Sequence, residues 1–273
     1  MHRTVMANTA KNGMKFSTIP DFWQQVRHAP TRFLGLDYDG TLAPFAIEPM
    51  HATPLPGIAD LLRNLAAEPR TIVAILSGRP VDEVLTLLDN PPVTVIGNHG
   101  YELWPHDGAR VVRQPTPEQL QGLFEIRGHL LQRGYGTMLE VKMASLALHT
   151  RRLEPVTAEA VEREVLTEWG AWALRYGLEC RWFNGGVEIR CSNWNKGHAL
   201  SDLLDLQPDS VFSVYIGDDE TDEDAFAVLK NRGIGLKVGR SGKPTAARDF
   251  LPDCAAVAAF LRQWLTVTGP TER

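Results

Sequence analysis

Three short segments rich in carboxylates, hydroxyls and glycines stand directly after apolar runs of the sequence. They are DYDGT at 37–41, SGR at 77–79 and GDDETD at 217–222. A lone cation, Lys196, lies in NKG at 195–197, just before a predicted helix. If the apolar runs are parallel strands, all four segments are expected at one edge of the sheet, because ligands bind beyond the carboxyl ends of such strands.

The carboxylates of this predicted edge favour a divalent cation and phosphoryl chemistry. Carboxylates that lie together without repelling one another need a hard cation, and Mg²⁺ accepts a few of them while it keeps several waters. An aspartate can then attack phosphorus and carry the phosphoryl group. Hydrolysis of an unactivated phosphate monoester needs an acceleration on the order of 10²¹-fold, whereas general acid–base catalysis supplies about 10² to 10⁴. A covalent step, a metal and cationic clamps are therefore expected together.

Each segment taken alone has another interpretation. DYDGT resembles the start of an EF-hand loop, but Leu42 stands at the sixth position, where that loop requires glycine. A DxD pair also holds the metal of some glycosyltransferases, GDDETD suits a solvated helix N-terminus, and SGR suits a plain strand-to-helix turn. A joint site is the interpretation that explains all four segments in this order. The sequence has no Walker-type phosphate loop, HExxH motif or GxSxG motif.

The first and last parts of the chain alternate between buried strands and amphipathic helices. Strands are predicted at 32–37, 71–77, 93–97, 211–219 and 233–238. Helical spacing of apolar residues appears at 56–68, after Pro80 and again from Val257 to Leu265. This alternation predicts an α/β fold with a Rossmann-like parallel sheet.

A different pattern follows Tyr101. A hairpin is predicted at Asp107-Gly108, and Thr116 with Gln119 forms a capping box that opens a helix. Further strands are predicted at 138–142, 145–149, 178–183 and 187–190, with a second helix from about Thr157. The order helix, hairpin, helix, hairpin predicts an inserted α+β cap. We expect a loosely ordered tail at 1–30, a discontinuous core at 31–112 and 191–265, and the cap at 113–190.

The composition narrows the class of protein. The 273 residues are 44% hydrophobic and 22% charged, with a net charge of −5, as in an ordinary globular protein. No run approaches the roughly 20 apolar residues of a membrane span, and the acidic balance lacks the basic footprint of a nucleic-acid binder. Neither a membrane nor a nucleic acid is therefore an expected partner. The three cysteines and an N-terminus unlike a targeting segment predict a cytoplasmic protein.

In these motifs the sequence resembles the haloacid dehalogenase (HAD) superfamily of aspartate-nucleophile phosphatases. The four superfamily motifs match DYDGT, the Ser77 region, Lys196 and GDDETD in order. More narrowly, GNHGYE at 97–102, LEVKMASLALHTR at 139–151 and GDDETDEDAF at 217–226 resemble the trehalose-6-phosphate phosphatases. The resemblance implies a HAD core with a cap. It also implies hydrolysis of trehalose 6-phosphate through an aspartyl-phosphate, the last step of trehalose biosynthesis.

The resemblance also implies a role for each residue of the phosphoryl site. Asp37 attacks the phosphoryl group, while Asp39 protonates the departing sugar oxygen and then activates water. Ser77 and Lys196 neutralise charge on the transferred oxygens. The implied ligands of Mg²⁺ are Asp37, Asp218 and the backbone carbonyl of Asp39. Asp219 and Asp222 are supporting residues, and Asp222 steadies Lys196 or a metal-bound water.

A second set of residues is implied to bind the sugar. Glu140 and Lys142 form the Glu-x-Lys pair with which the caps of this family grip the sugar, and Glu188 matches a further cap glutamate. Strand alternation supports the pair, because residues two apart share one face of a strand. Gly78 is included among the substrate-binding residues.

Two departures from the family pattern concern the sugar. Thr150 replaces the usual aromatic after the cap histidine, and Cys191 replaces a usual proline. Other glycosyl phosphates therefore stay open as substrates, such as sucrose-, mannosylglycerate- or glucosylglycerate-phosphate, and so does a catalytically silent sugar-phosphate sensor. Trehalose-6-phosphate synthase is a candidate partner in the pathway. Arg79 and His99 receive no catalytic role; we expect Arg79 to support its loop and His99 to be structural.

Overall fold

Two β-sheets organise the chain, one of eight strands and one of four. They are seen in a computed structural model that describes residues 14, 16, 18–46, 48–240 and 242–269. The strands are β1 (Arg32–Leu36), β2 (Thr71–Leu76), β3 (Thr94–Gly97), β4 (Glu102–Trp104), β5 (Val111–Val112), β6 (Leu139–Val141), β7 (Ser145–His149), β8 (Leu178–Phe183), β9 (Gly186–Cys191), β10 (Phe212–Gly217), β11 (Ile234–Val238) and β12 (Asp249–Leu251). The helices are α1 (Phe22–His28), α2 (Ile58–Ala66), α3 (Val81–Leu87), α4 (Pro117–Gln132), α5 (Pro155–Tyr176), α6 (Lys196–Asp205), α7 (Glu223–Leu229) and α8 (Cys254–Thr268).

The larger sheet has the order β12-β11-β10-β1-β2-β3-β4-β5. Its strands are parallel from β12 to β3, and β4 and β5 are antiparallel additions at one edge. From β1 the chain proceeds outward through β2 and β3, whereas the later strands proceed outward from β10 on the other side. The strand order therefore switches between β1 and β10, and a crevice at their carboxyl ends is where open α/β sheets bind ligands. The predicted α/β fold is confirmed.

Apolar side chains on both faces of this sheet hold the helices. All five residues of β1 are buried, as in parallel strands covered on both faces. One face packs against α1, α2, α3 and α8, with Leu62, Val84 and Trp264 in the cluster. The other face packs against α6 and α7 through Leu200 and Phe226. The crevice at the strand ends is thus carried on a scaffold that is packed from both sides.

The smaller sheet has the order β6-β7-β9-β8, and all its neighbours are antiparallel. Helices α4 and α5 cover one face, where Ile126, Val165 and Trp169 pack against the sheet residues Leu148 and Ile189. The capping box predicted at the start of α4 is present. We call this sheet with α4 and α5 the cap, and its division from the core at 113 and 190 remains a proposal.

The expectation of a loosely ordered tail at 1–30 is wrong for its second half. Phe16, Ile19, Phe22 and Val26 are buried in the main core cluster, and α1 packs against α8. Phe22 lies with its ring centroid 4.7 Å from that of Phe16 and 5.8 Å from that of Phe260. The segment folds because its apolar side chains complete one face of the sheet, Phe22 and Val26 from one side of α1 and Phe16 and Ile19 from the residues before it. Residues 1–13, 15 and 17 of the expected tail lie outside the described residues.

Replacing Phe22 by alanine tests this correction. Phe22→Ala removes a buried aromatic side chain, so we expect the free energy of unfolding to fall by about 3–5 kcal/mol in denaturant titration. Phe124→Ala, on the exposed side of α4, is the matched control because that ring is 73% exposed, and its effect should stay within about 0.5 kcal/mol. Equal effects of the two changes would show that α1 is not part of the core.

Candidate active site

Two aspartates meet at the switch point of the larger sheet. Asp37 follows β1 and Asp218 follows β10, and these strands are hydrogen-bonded neighbours. The loop after Asp37 passes so close to Asp218 that a Cβ at Gly40 would lie 2.2 Å from its Oδ2. Gly40 also has φ +73°, a left-handed conformation that glycine adopts without strain. The sequence DYDGT thus needs its glycine in order to bring the two acidic loops together.

Lys196 joins this pair through two short hydrogen bonds. It is the first residue of α6, which is capped by Asn195, and its Nζ donates to Asp37 Oδ1 at 2.7 Å and to Asp222 Oδ1 at 2.8 Å. Its side chain is buried. The predicted meeting of Lys196 with both acidic motifs is therefore present in the structure.

Asp222 is fully engaged by hydrogen bonds. Its Oδ1 also accepts from the Tyr215 hydroxyl at 2.6 Å, and its Oδ2 accepts from the backbone N–H groups of Asp218 and Asp219, both at 3.0 Å. Asp222 is expected to steady either Lys196 or a metal-bound water, and these contacts favour the first of these roles. Tyr215 was not found from the sequence, because a tyrosine inside a buried strand looks like an ordinary core residue.

The electrostatics of this cluster favour a bound cation. Burial and the charge of Asp222 raise the pKa of Asp37 to about 8, although the charge of Lys196 opposes this shift. Burial and the charges of Asp37 and Asp222 raise the pKa of Asp218 well above its ordinary value. Asp218 Oδ1 is buried and has no hydrogen-bond partner in the part of the chain that the structure describes. Asp37, Asp218 and Asp222 offer oxygens that all lie within 4.8 Å of one another. These hard oxygen donors fit a divalent cation such as Mg²⁺.

Asp39 is held by Arg79, a residue to which no catalytic role could be assigned from its motif. The Arg79 guanidinium donates from Nε to Asp39 Oδ2 at 2.6 Å and from Nη2 to Oδ1 at 2.7 Å. The backbone N–H of Arg79 donates to Ser77 Oγ at 3.1 Å, and Glu83 accepts from the guanidinium at 3.2 Å. Arg79 therefore fixes the plane of the Asp39 carboxylate by a bidentate contact. The sequence signal that could have pointed to Arg79 was its position just after β2, since ligands bind beyond the carboxyl ends of parallel strands.

The three predicted sugar-binding residues lie together on the open face of the cap sheet. Glu140, Ala147 and Glu188 face one another across β6, β7 and β9, and Lys142 Nζ is 3.8 Å from Glu140 Oε2 and 3.5 Å from Glu188 Oε1. His149 Nε2 also lies 2.7 Å from Glu140 Oε2. His149 lies in the cap motif at 139–151, but nothing in the sequence pointed to a place for it in the site. The strand register thus places three charged side chains on one face.

The core edge and the cap face enclose one cavity. The predicted site residues that line it are Asp37, Asp39, Ser77, Gly78, Glu140, Lys142, Glu188, Lys196, Asp218 and Asp219. Asp222 lies beneath this lining, fully buried. Asp219 accepts a hydrogen bond from the Glu220 N–H at 2.7 Å, which starts the short helix at 220–222.

Gly78 lines the cavity, and the ring of His99 next to it explains why residue 78 is a glycine. A Cβ at residue 78 would lie 2.5 Å from Cε1 of His99, so glycine leaves room for the imidazole ring.

The two departures from the family pattern lie outside the cavity. Thr150 donates to Glu162 on α5, and Cys191 packs in the apolar cluster of the cap. Neither departure changes the lining.

Comparison with known proteins identifies the family. The trehalose-phosphatase family model matches residues 35–253. The chain belongs to this family. A bifunctional trehalose-6-phosphate synthase/phosphatase of Thermoproteus tenax is 34% identical over 238 residues, which are 86% of this chain and 32% of that protein. A trehalose 6-phosphate phosphatase of Zea mays is 33% identical over 262 residues, covering 86% of this chain and 70% of that protein.

A solved structure shows that the fold is shared along nearly the whole chain. The C-terminal domain of a Candida albicans trehalose-6-phosphate phosphatase superposes with a TM-score of 0.80, covering 96% of this chain and 100% of that domain at 22% identity. The HAD-like fold expected from the resemblance is therefore confirmed. The chain spans about a third of the length of the bifunctional T. tenax protein, at 32%.

The buried network around Asp222 leads to a stability prediction. Asp222→Asn replaces one acceptor oxygen by an amide that faces donors, so we expect the free energy of unfolding to fall by about 3 kcal/mol. Asp205→Asn is the matched control, because Asp205 pairs with Arg232 at 2.8 Å while its side chain is 63% exposed. That change should cost less than about 1 kcal/mol. Denaturant titration of both variants checks the difference, and an equally small loss for Asp222→Asn would contradict the network.

Proposed function

We propose that the protein hydrolyses trehalose 6-phosphate to trehalose and phosphate. The observation that carries this proposal is the single cavity in which two sets of residues face each other. The core supplies Asp37, Ser77 and Lys196, which suit a phosphoryl group, and the cap supplies Glu140 and Glu188, which suit sugar hydroxyls. The names of the similar T. tenax and Z. mays proteins support trehalose 6-phosphate as the substrate.

The hydrogen bonds of Asp37 suggest which oxygen attacks. Lys196 donates to Oδ1 of Asp37, so we assign Oδ2 as the nucleophile. A bond forms between this oxygen and phosphorus while the bond from phosphorus to the sugar oxygen breaks. Lys196 keeps its proton, because Asp222 and Asp37 raise its pKa against the opposing effect of burial. It therefore neutralises charge on the transferred group together with Ser77.

Asp39 is assigned the proton transfers. In the first half it gives a proton to the departing sugar oxygen. In the second half it takes a proton from the water that attacks phosphorus, which releases phosphate and restores Asp37. In the structure Arg79 donates to both oxygens of the Asp39 carboxylate. One of these oxygens has to leave Arg79 and face the sugar oxygen for the proton transfer, because a general acid must lie within hydrogen-bond reach of the group that it protonates.

A divalent cation completes the site, and we propose Mg²⁺. Asp37, Asp218 and the backbone carbonyl of Asp39 would hold it. The assignment of the carbonyl is supported by the carboxylate of Asp39, which is turned to Arg79. When bound, the cation neutralises the buried carboxylates and polarises the phosphoryl oxygens.

Two alternative functions make different predictions. A silent sugar-phosphate sensor would not require the intact set of Asp37, Asp39 and Lys196, whose contacts suit catalysis. A phosphatase for another glycosyl phosphate would share the core site and differ in the cap. The second alternative therefore depends on which sugar Glu140 and Glu188 accept.

The cellular setting is also a proposal. Three cysteines are free thiols, Cys180, Cys191 and Cys254, which suits the reducing cytoplasm. Among the described residues, no helix combines the length and apolar character needed to cross a membrane. We propose that trehalose-6-phosphate synthase supplies the substrate, since the similar T. tenax protein is named for both activities.

Phosphate release from a panel of sugar phosphates tests the proposed function. The panel contains trehalose 6-phosphate and the sucrose, mannosylglycerate and glucosylglycerate phosphates, with kcat/KM as the measured quantity. We expect trehalose 6-phosphate to be hydrolysed fastest. Asp37→Asn should lower its turnover by at least about 10³-fold, as loss of a nucleophile does. Faster turnover of another sugar phosphate would rule out trehalose 6-phosphate as the preferred substrate, while the proposed mechanism of phosphoryl transfer would still apply.

Removal of the metal tests the cation. A chelator should stop hydrolysis and Mg²⁺ should restore it, because the buried carboxylates then recover their counter-charge. Ca²⁺ should bind and support turnover poorly, since its looser coordination misplaces the attacking oxygen. As a second readout, Mg²⁺ should raise the Tm of the unaltered protein more than that of Asp218→Asn. Full activity in excess chelator would refute the metal requirement.

Alanine substitutions in the cap test sugar recognition. Glu140→Ala, Lys142→Ala and Glu188→Ala should each lower kcat/KM for trehalose 6-phosphate at least about tenfold, because a sugar hydroxyl loses its partner. Hydrolysis of p-nitrophenyl phosphate, which has no sugar, is the comparison substrate. We expect its loss to be much smaller in each variant. Equal losses on both substrates would mean that these residues support the fold or the catalytic centre instead.

A further inference from the structure

His99 extends from the core into the sugar-binding face of the cap. It lies in the turn at 98–100 that follows β3, with φ 55°. Its Nε2 is 3.1 Å from Oε2 of Glu188 on β9, and both side chains are buried. Gly78 leaves the space in which the ring sits. The expectation that His99 is merely structural overlooks this contact, since nothing in the sequence pairs residue 99 with residue 188.

The two oxygens of Glu188 have different kinds of partner. Ser145 Oγ donates to Oε1 at 2.7 Å, and Lys142 Nζ lies 3.5 Å from the same oxygen. Both of these partners belong to the cap and move with Glu188. His99, which belongs to the core, is the partner of Oε2. The cap thus fixes one oxygen of the carboxylate by itself, and the core is needed to fix the other.

The protonation of His99 agrees with this contact. Burial lowers its pKa, although Glu188 opposes the shift, so the ring is neutral near pH 7 and carries one N–H. Oε2 of a carboxylate accepts, which places that proton on Nε2. Nδ1 is buried without a hydrogen-bond partner among the described residues, as an unprotonated nitrogen in this tautomer would be.

We propose that His99 is a positioning residue that orients Glu188 for the sugar, so that Glu188 reaches its binding orientation when the cap is seated on the core. This inference deepens the proposed function and rests on it. Sugar recognition and closure over the phosphoryl site then occur as one event. A small phosphate ester without a sugar gains nothing from this contact, whereas a sugar phosphate does.

Two substitutions of His99 distinguish loss of the hydrogen bond to Glu188 from replacement of the imidazole ring as such. Glutamine places an amide nitrogen where Nε2 stands, within reach of Glu188, whereas asparagine places it near the position of Nδ1, out of reach. Asparagine also tolerates positive φ well, so a loss in His99→Asn does not come from backbone strain. The measured quantity is kcat/KM for the sugar phosphate that the unaltered protein hydrolyses fastest, divided by kcat/KM for p-nitrophenyl phosphate.

We expect His99→Asn to lower this ratio at least about tenfold, and His99→Gln to keep it within about threefold of the unaltered protein. Glu188→Gln should lower it too, and adding His99→Asn to Glu188→Gln should cause no further loss, because the two residues act as one unit. Asp224→Asn is the control for cap contacts outside the cavity, since Asp224 pairs with Arg190 at 3.0 Å. We expect it to lower the ratio much less than His99→Asn does, because it leaves the contact of His99 with Glu188 intact.

Several outcomes overturn the inference. They are equal ratios for the asparagine and glutamine variants, losses that multiply in the double variant, and a fall of the ratio in Asp224→Asn as large as in His99→Asn. Failure of the proposed function is seen separately in the unaltered protein, as preference for a phosphate other than that of trehalose. The variants are then compared on the preferred substrate. If no sugar phosphate is hydrolysed, the inference fails together with the function.

Discussion

Repulsion between buried carboxylates is the constraint on which the rest of the structure depends. Asp37, Asp218 and Asp222 have oxygens within 4.8 Å of one another at the switch point of the sheet, and burial makes their charges costly. Lys196 supplies one positive charge to this cluster by bridging Asp37 and Asp222. The remaining negative charge keeps the pKa of Asp37 and of Asp218 high. The site is therefore built to gain stability when a cation and a phosphoryl group arrive, which is the kind of preorganisation that phosphoryl transfer needs.

Holding such a cluster in place requires neighbours that cannot move. The Tyr215 hydroxyl and two backbone N–H groups fix Asp222, which in turn fixes Lys196. Arg79 fixes Asp39 in a comparable way, and Glu83 holds Arg79 from the first turn of α3. These partners come from strands and helices packed on both sides of the sheet. Rigid elements of this kind hold reacting groups more accurately than loops do.

The sequence allowed the phosphoryl site to be predicted, because parallel strands deliver their carboxyl ends to one edge. Asp37, Ser77 and Asp218 follow from that rule, and Lys196 follows from the motif resemblance together with its place at the start of a helix. The sugar residues came from the resemblance, and the alternation of the strand predicted at 138–142 supported the pairing of Glu140 with Lys142.

The contacts of Tyr215, Arg79 and His99 could not be predicted in the same way. Arg79 and His99 have partners far along the chain, Asp39 and Glu188, which are set by tertiary packing rather than by local pattern. Tyr215 contacts Asp222 nearby in the sequence, but a tyrosine inside a buried strand looks like a core residue. The helix α1 was missed for a related reason. Its apolar face is short, and its burial depends on a sheet and on α8, which the chain supplies much later.

Several of the contacts between cap and core are polar, and these bear on how the cavity opens. His99 meets Glu188 at 3.1 Å, Arg190 meets Asp224 at 3.0 Å, and Arg151 donates to the carbonyl of Ala46 at 2.9 Å. Each such contact contributes on the order of 1 kcal/mol in water, because open surfaces hydrogen-bond to solvent instead. These three contacts sum to a few kcal/mol, comparable to the gap between two populated states of a protein. If the protein acts on the disaccharide phosphate proposed above, we expect the cap to open to admit it and the sugar hydroxyls to add contacts that favour the closed state. Under that proposal closure depends on the sugar as well as on the phosphate, while the phosphoryl chemistry lies in the core.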